Sequence, residues 1–566
     1  MRQYWHYDNF RLLQAEIIES IGTGNDTLAL MPTGGGKSLC FQVPTMAMEG
    51  LCLVITPLIA LMKDQVENLH TRDIFAEAIY TGLTHKEIMD ILDKCQFGNR
   101  KFLYVSPERL ESKDFRQRLV QLPICLIAVD EAHCISQWGY DFRPAYLKIA
   151  DIRKSLPDIP VLALTATATP QVVEDIQNRL LFRRHNVLQK SFERKNLHYV
   201  VRTTDDKLSQ LVHILQRVGG SSIVYVRNRQ KAKDIADYLS HENISATYYH
   251  AGLTHQEKTL RQQAWKTGQA RVMVATNAFG MGIDKPDVRT VIHLDLPDTL
   301  EAYFQEAGRA GRDEQTAYAV LLYNKTDKTK AAKRIQDNYP PPDFIKKVYE
   351  AVGNWLEVGI GSGLNHTFVF PFEKFCIDRQ LPFLPTFSAI QLLQQAGFLN
   401  YIEETETQPR VQFLMTREQL YSMAICKEQD ELVNILLRTY TGIFSEFVYI
   451  NDNRIAEQLS TNTHEVNRIL VELAHEHIIQ YIPRRKTPYI SYPLERQELR
   501  YVTIPQNIYE ERRKLYKQRI EAMVEYAEQE QFCRSQLLLS YFGQTDSLPC
   551  GQCDVCLKKK RQQDNT

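Results

Sequence analysis

Residues 27–38 read TLALMPTGGGKS: an apolar run, a glycine triplet, then a lysine and a hydroxyl. A short apolar run bounded by turn residues reads as a buried strand, and the apolar segment after Ser38 reads as a helix. Between them Gly34, Gly35 and Gly36 let successive N–H groups converge on one point. With the positive end of the following helix behind them, they form a cradle for phosphate oxygens. Lys37 is placed to reach the β- and γ-phosphates and Ser38 to ligate Mg²⁺, with Thr33 completing the loop. The strict GxxxxGKS spacing has Met31 at its first position, but Gly34 and Gly36 keep the turn.

A strand–phosphate-loop–helix start predicts an α/β fold, and the chain continues in that way. LCLVITP, FLYVSP, CLIAVDE, VLALTAT, SSIVYV, ATYYH, RVMVAT and TVIHLD follow, each apolar throughout and separated by helical patterns. Strands of that character are parallel and covered on both faces. Two such blocks are expected, 1–195 and 196–338, joined across the polar stretch SFERKNLHYVVRTTDDK. NYPPPDF at 338–344 ends the second, because consecutive prolines cannot continue a helix.

The chain has 566 residues, 44% hydrophobic and 24% charged, with 68 basic and 68 acidic residues. No global positive field recruits a polyanion, so any nucleic acid must be met by local patches. No apolar stretch approaches bilayer length, and the N-terminal MRQYWHYDNF lacks a signal-peptide pattern. A cytoplasmic location is expected, at the nucleoid in a bacterium, with no membrane partner.

Phosphate loops that hydrolyse nucleotides need carboxylates at a neighbouring strand tip. CLIAVDEAH supplies them: Asp130 to hold Mg²⁺ through its water shell and Glu131 to orient and deprotonate water. YFQEAGRAGRD at 303–313 places Gln305, Arg309 and Arg312 at helical spacing in the other block. Guanidinium groups fork onto phosphate oxygens, and such an arginine contributes about 10³–10⁵ to phosphoryl-transfer rates. A loop on one block and arginines on the other let ATP close the cleft and hydrolysis reopen it.

Immediately after the carboxylates comes SQWGYDFRP at 136–144, three aromatics and an arginine in a loop. Trp138 and Phe142 offer π-faces to unpaired bases, each stack worth about 1–3 kcal/mol, and Arg143 is available to a phosphate or a carboxylate.

These motifs together resemble superfamily 2 helicases, and more closely the RecQ family of ATP-dependent DNA helicases. YDNFRLLQAEII, ITPLIALMKDQV, YVSPERL, ALTATATP, YYHAGL and VATNAFGMGIDKPDVR are similar to the family's remaining motifs, in its order. The resemblance implies two RecA-like domains and an adenine sandwiched by Tyr7 and Arg11, with its edge read by Gln14. It places Asp284 near the nucleotide. It makes His133, Thr165 and Thr167 the link between ATP state and domain movement. It also makes SQWGYDFRP the loop that senses single-stranded DNA, with Tyr140 where the family usually has histidine. Leu12-Leu13 replaces the family's usual Pro-Gly.

Cys533, Cys550, Cys553 and Cys556 gather near the C-terminus with CxxC spacing, which suits a closed tetrahedral Zn²⁺ site. The segment 505–557 resembles the RecQ zinc module, and LKKKRQQDNT is expected to end the chain as a disordered basic tail (558–566). The family usually runs helicase, zinc, winged helix. Here helix, helix, β-hairpin patterns precede the zinc module, in 345–440 (FLNYIEE with RVQFLM) and 441–500 (IIQYIP with YISY). Both read as winged-helix-like, a possible duplication. Arg484, Arg485 and Lys486 at the second hairpin tip read as a duplex contact or a solvated turn.

The expected activity is an ATP-dependent DNA helicase, stimulated by single-stranded DNA, moving 3′→5′ and acting in recombination or repair. ATP, Mg²⁺ and structural Zn²⁺ are its cofactors; single-stranded and forked DNA are its partners, met as a monomer. An RNA-remodelling ATPase, or a winged-helix DNA-binding regulator with a vestigial ATPase, are the alternatives.

Overall fold

The computed structural model describes the chain except residues 12, 33, 81, 82, 84, 140, 167, 281–284, 403–408, 423–425, 441, 445, 446, 484–487, 565 and 566. The fold has two units: Met1–Thr81, Ile91–Ala331 and Gln518–Thr566 form one, and Gly82–Asp90 with Ala332–Lys517 the other.

In the first unit, β1 (Thr27–Leu30), β2 (Leu51–Ile55), β3 (Ala76–Ile79), β4 (Phe102–Val105), β5 (Ile124–Val129), β6 (Val161–Thr165) and β7 (Val187–Gln189) build one sheet. Its order is β3-β4-β2-β5-β6-β1-β7, parallel throughout. A second parallel sheet contains β8 (Leu197–Thr203), β9 (Ser221–Tyr225), β10 (Ala246–Tyr249), β11 (Val272–Ala275), β12 (Val288–His293) and β13 (Ala317–Tyr323). It runs β10-β11-β9-β12-β13-β8. The central strands β1, β2, β4, β9 and β11 are buried at every position, as apolar runs covered on both faces require. The fold class is α/β, with two RecA-like parallel-sheet domains, as expected.

β8 lies inside the stretch expected to be a polar connection. As an edge strand it alternates buried and half-buried residues and ends on two exposed ones, so its apolar content is diluted.

Order within the first sheet decides where chemistry collects. β6 separates β1 from β5, and the register pairs Leu30 with Thr165 and Val129 with Ala163. The loops leaving β1, β5 and β6 therefore emerge side by side from the carboxyl edge, where parallel sheets place their sites.

The second unit holds β14 (Thr367–Val369), β15 (Asn400–Ile402), β16 (Arg410–Phe413), β17 (Val448–Tyr449), β18 (Ile479–Ile482) and β19 (Tyr489–Ser491). The two hairpins expected from the sequence do not form. β15 pairs with β19, and β16 pairs with β18, both antiparallel. One three-stranded sheet is β14-β19-β15, the other β17-β16-β18. Side-chain burial explains the exchange. Leu399, Ile490 and Tyr492 belong to one core with Ile345, Phe375 and Leu393. Val411, Phe413, Ile479 and Tyr481 belong to another with Leu432, Ile469 and Leu473. The second helix-and-sheet module is thus inserted between the two strands of the first module's wing, and the boundary expected at 440–441 falls inside the second core.

The basic tail is also corrected. A helix runs Asp554–Asp564, so residues 558–564 are helical rather than disordered. Helix formers dominate that stretch, and its first turn carries Asp554, which favours the positive helix end.

Candidate nucleotide site and zinc centre

The phosphate loop turns from β1 into the helix Leu39–Ala47. Gly34 and Gly36 hold φ of 82° and 74°, in the left-handed region where a side chain is strained. Gln14, on the helix Gln14–Gly22, donates from Nε2 to the carbonyls of Gly35 (3.3 Å) and Gly36 (3.2 Å). Its Oε1 accepts from the Arg11 N–H at 2.9 Å. Gln14 thus shapes the loop itself, with Tyr7 and Arg11 exposed beside it.

β5 delivers Asp130 and Glu131. Glu131 has φ 46°, a conformation that costs a non-glycine residue about 1–3 kcal/mol and persists where the surroundings hold it. Its Oε1 lies 3.8 Å from Lys37 Nζ. Burial opposes ionisation of Glu131, but the charges of Lys37, His133 and Arg309 outweigh it and hold the carboxyl below its usual range. Asp130 is pushed up to about 6 by burial, with Glu131 adding and Lys37 opposing. The Tyr146 hydroxyl donates to the Asp130 carbonyl at 3.0 Å, fixing the turn. A Ser38 hydroxyl and a half-buried Asp130 carboxylate are hard oxygen donors, the set that Mg²⁺ takes.

His133 is buried, and its Nδ1 lies 3.0 Å from Thr165 Oγ1 and 3.4 Å from Glu131 Oε2. The imidazole connects the loop after β5 with the end of β6; burial lowers its pKa.

The second sheet contributes the helix Leu300–Ala307 and the turn beyond it. Gln305 and Arg309 are buried. Arg312 packs on the phosphate loop: a Cβ placed on Gly34 would sit 3.1 Å from Arg312 Cδ. Lys37, Glu131, Arg309 and Arg312 therefore converge from two sheets on one cleft.

In the aromatic loop, Trp138 and Phe142 are half-buried. Ser136 Oγ donates to Asp175 Oδ2 at 2.6 Å and accepts from the Trp138 N–H at 3.2 Å. Of the two partners expected for Arg143, the carboxylate is present: Asp141 lies at 3.3 Å, and the guanidinium also donates to the Pro57 carbonyl at 3.2 Å. Thr33, Tyr140, Thr167, Asp284, Arg484, Arg485 and Lys486 lie outside the described residues.

The ligand atoms of Cys533, Cys550, Cys553 and Cys556 all lie within 4.8 Å of one another. Three backbone N–H groups point at the sulfurs: Cys550 to Cys533 at 3.3 Å, Cys556 to Cys553 at 3.4 Å and Arg534 to Cys553 at 3.5 Å. Donors aimed at sulfur favour thiolates, so the residues present fit a four-sulfur Zn²⁺ site. The buried Arg534 braces it through Asp554 at 3.0 Å.

Three residues with contacts near the site escaped the sequence reading. Arg519, on the helix Glu510–Glu528, donates from Nη2 to the Trp138 carbonyl and lies 3.8 Å from Glu301 Oε1. The Tyr541 hydroxyl donates to the same Glu301 oxygen at 2.9 Å. In the sequence Arg519 is one of several charges on a polar helix, with nothing local to single it out.

Comparison with known proteins agrees with this geometry. The DEAD/DEAH box helicase model matches residues 11–176 and the helicase conserved C-terminal domain 206–314. The RecQ helicase winged-helix domain described for Bacteroidota matches 411–483, and the RecQ zinc-binding model 495–557. The ATP-dependent DNA helicase RecQ of Haemophilus influenzae is 40% identical over 360 residues, 63% of this chain and 58% of that protein. The probable ATP-dependent DNA helicase RecS of Bacillus subtilis is 43% identical over 326 residues, covering 56% and 65%. The RecQ of a Synechocystis strain is 39% identical over 335 residues, covering 57% and 70%. The chain spans little more than half the length of the Haemophilus relative. With four matching models in helicase, winged-helix and zinc order, the chain belongs to the RecQ family of helicases.

Proposed function

We propose that this protein is an ATP-dependent DNA helicase whose ATPase is stimulated by single-stranded DNA. The convergence of Lys37 and Glu131 from one sheet with Arg309 and Arg312 from the other carries this reading. The glycine turn and Lys37 bind the triphosphate, with Tyr7, Arg11 and Gln14 at the base. Ser38 and Asp130 would hold Mg²⁺, which when bound would neutralise charge on the phosphate oxygens. Glu131, kept ionised by the cations around it, accepts a proton from the attacking water. Arg309 and Arg312, permanently charged, stabilise charge developing on the transferred phosphoryl. Because they sit on the second sheet, nucleotide bridges the two domains and its hydrolysis releases the bridge.

Trp138 and Phe142 stack on bases of the bound strand, and the loop's start five residues after Glu131 brings strand binding to the catalytic turn. His133 carries the state of that turn to Thr165. Zn²⁺ has a structural part, because four sulfurs leave no open position. Movement is 3′→5′ along the bound strand, and separation must offset about 1.4 kcal/mol of stacking per base-pair step.

Forked duplexes with a single 3′ or 5′ tail, made in DNA and in RNA, test the proposal. ATP-dependent separation of the 3′-tailed DNA is expected. Separation of RNA alone would move the protein to the RNA-remodelling class, and strand binding without turnover would make it a regulator.

A further inference from the structure

The Trp138 loop is anchored at its root by the first sheet's own domain, through Asp175 and the Pro57 carbonyl. Its tip is held differently. Arg519, from the helix that enters the zinc module, donates to the Trp138 backbone carbonyl and sits close to Glu301. Glu301 lies on the helix that carries Gln305 and runs into the turn of Arg309 and Arg312. Tyr541 fixes the same carboxylate, while Phe542 packs on Phe304 with ring centroids 5.0 Å apart. Glu301 also acts electrostatically on His133. One guanidinium, 14% exposed, thus spans the aromatic loop and the helix that leads to Arg309 and Arg312.

We propose that Arg519 is a positioning residue that latches the Trp138 loop, and that a bound strand stimulates hydrolysis by breaking this latch. The inference rests on the sensor reading of the loop given above. Three physical points carry it. A charged hydrogen bond to a carbonyl and one base–aromatic stack are of the same order, so a single stacked base competes with the latch. At 3.8 Å from one carboxylate oxygen, Arg519 is short of its best geometry on Glu301. Glu301 Oε2 is buried without a hydrogen-bond partner among the described residues, so the released guanidinium has a bidentate seat waiting. Arg519 therefore has two discrete arrangements, and occupancy of Trp138 selects between them.

The experiment measures ATP turnover in the full chain with and without single-stranded DNA, and the DNA concentration at half-stimulation. The variants are Arg519→Ala, Arg519→Lys, Trp138→Ala and the double variant Lys37→Ala/Arg519→Ala. With the latch removed, Arg519→Ala is expected to raise basal turnover several-fold toward the stimulated rate and to lower the half-stimulating DNA concentration. Arg519→Lys, which keeps the buried stem and one donor, is expected to fall between, and it replaces the alanine variant should that lose its zinc. The double variant is expected to be inactive, placing the raised turnover at this site. Unchanged basal turnover and half-stimulation in Arg519→Ala, or loss of basal and stimulated rates in equal proportion, would overturn the latch. Full stimulation in Trp138→Ala would instead overturn the sensor reading beneath it.

Discussion

Arg312 and Gly34 are in contact across the two sheets: a Cβ on that glycine would lie 3.1 Å from Arg312 Cδ and 3.4 Å from its Nε. The arginine therefore lies against the glycine turn of the phosphate loop. Arg312→Ala is expected to lower turnover by about 10³-fold or more while ATP affinity changes far less, because the guanidinium acts on charge that develops during transfer. Nucleotide binding by fluorescence, beside steady-state turnover, separates the two.

Gly34→Ala has the opposite signature. At φ 82° the new methyl strains the backbone and meets Arg312, so the loop or that side chain must give way. A weakened ATP affinity is expected, seen as a raised KM in the same assays.

Glu131 combines a left-handed backbone with a carboxylate held below its usual range by Lys37, His133 and Arg309. Glu131→Gln keeps size and hydrogen bonding but accepts no proton. Nucleotide binding is expected to persist with hydrolysis reduced by about 10²–10⁴-fold. Wild-type single-turnover rates in that variant would remove the general-base assignment.

Asp26 sets the stability of the first sheet. Its carboxylate takes the Arg153 Nη2 at 3.0 Å, the Val161 N–H at 3.0 Å and the Arg183 N–H at 2.8 Å. Arg153 is 3% exposed, so Asp26→Ala leaves a buried cation without its carboxylate counter-ion. A loss of about 3–5 kcal/mol is expected in the urea transition of the first unit.

Cys553 is buried at the centre of the sulfur cluster and accepts two backbone N–H groups. Metal binding contributes about 10–16 kcal/mol in small cysteine modules, so Cys553→Ser is expected to abolish stoichiometric zinc and unfold the C-terminal segment. A chelator-sensitive zinc count and protease sensitivity near residue 533 report both effects.

Most of the helicase core was legible because its signals are local. Nine strands were read from apolar runs, and each exists. The four missed strands are β3, β7, β8 and β13; three of them are sheet edges, where half the side chains face water and the apolar run breaks up. The phosphate loop, the carboxylates and the arginines carry their chemistry within a few residues. The wings did not, since β15, β16, β18 and β19 span only three or four residues each. Strands of three or four residues pair by what their side chains bury, and Leu399 with Ile490 against Phe413 with Ile479 is a choice between distant partners. Arg519 was invisible for the same reason: its meaning lies in Trp138 and Glu301, far away in sequence.

The most direct test of the shared cleft is ATP turnover in the presence and absence of single-stranded DNA for the wild type, Lys37→Ala and Arg309→Ala/Arg312→Ala. The wild type is expected to accelerate many-fold on adding DNA, and both variants to stay inactive in either condition while retaining strand binding. DNA-stimulated turnover surviving without the two arginines would contradict a catalytic site built from both sheets.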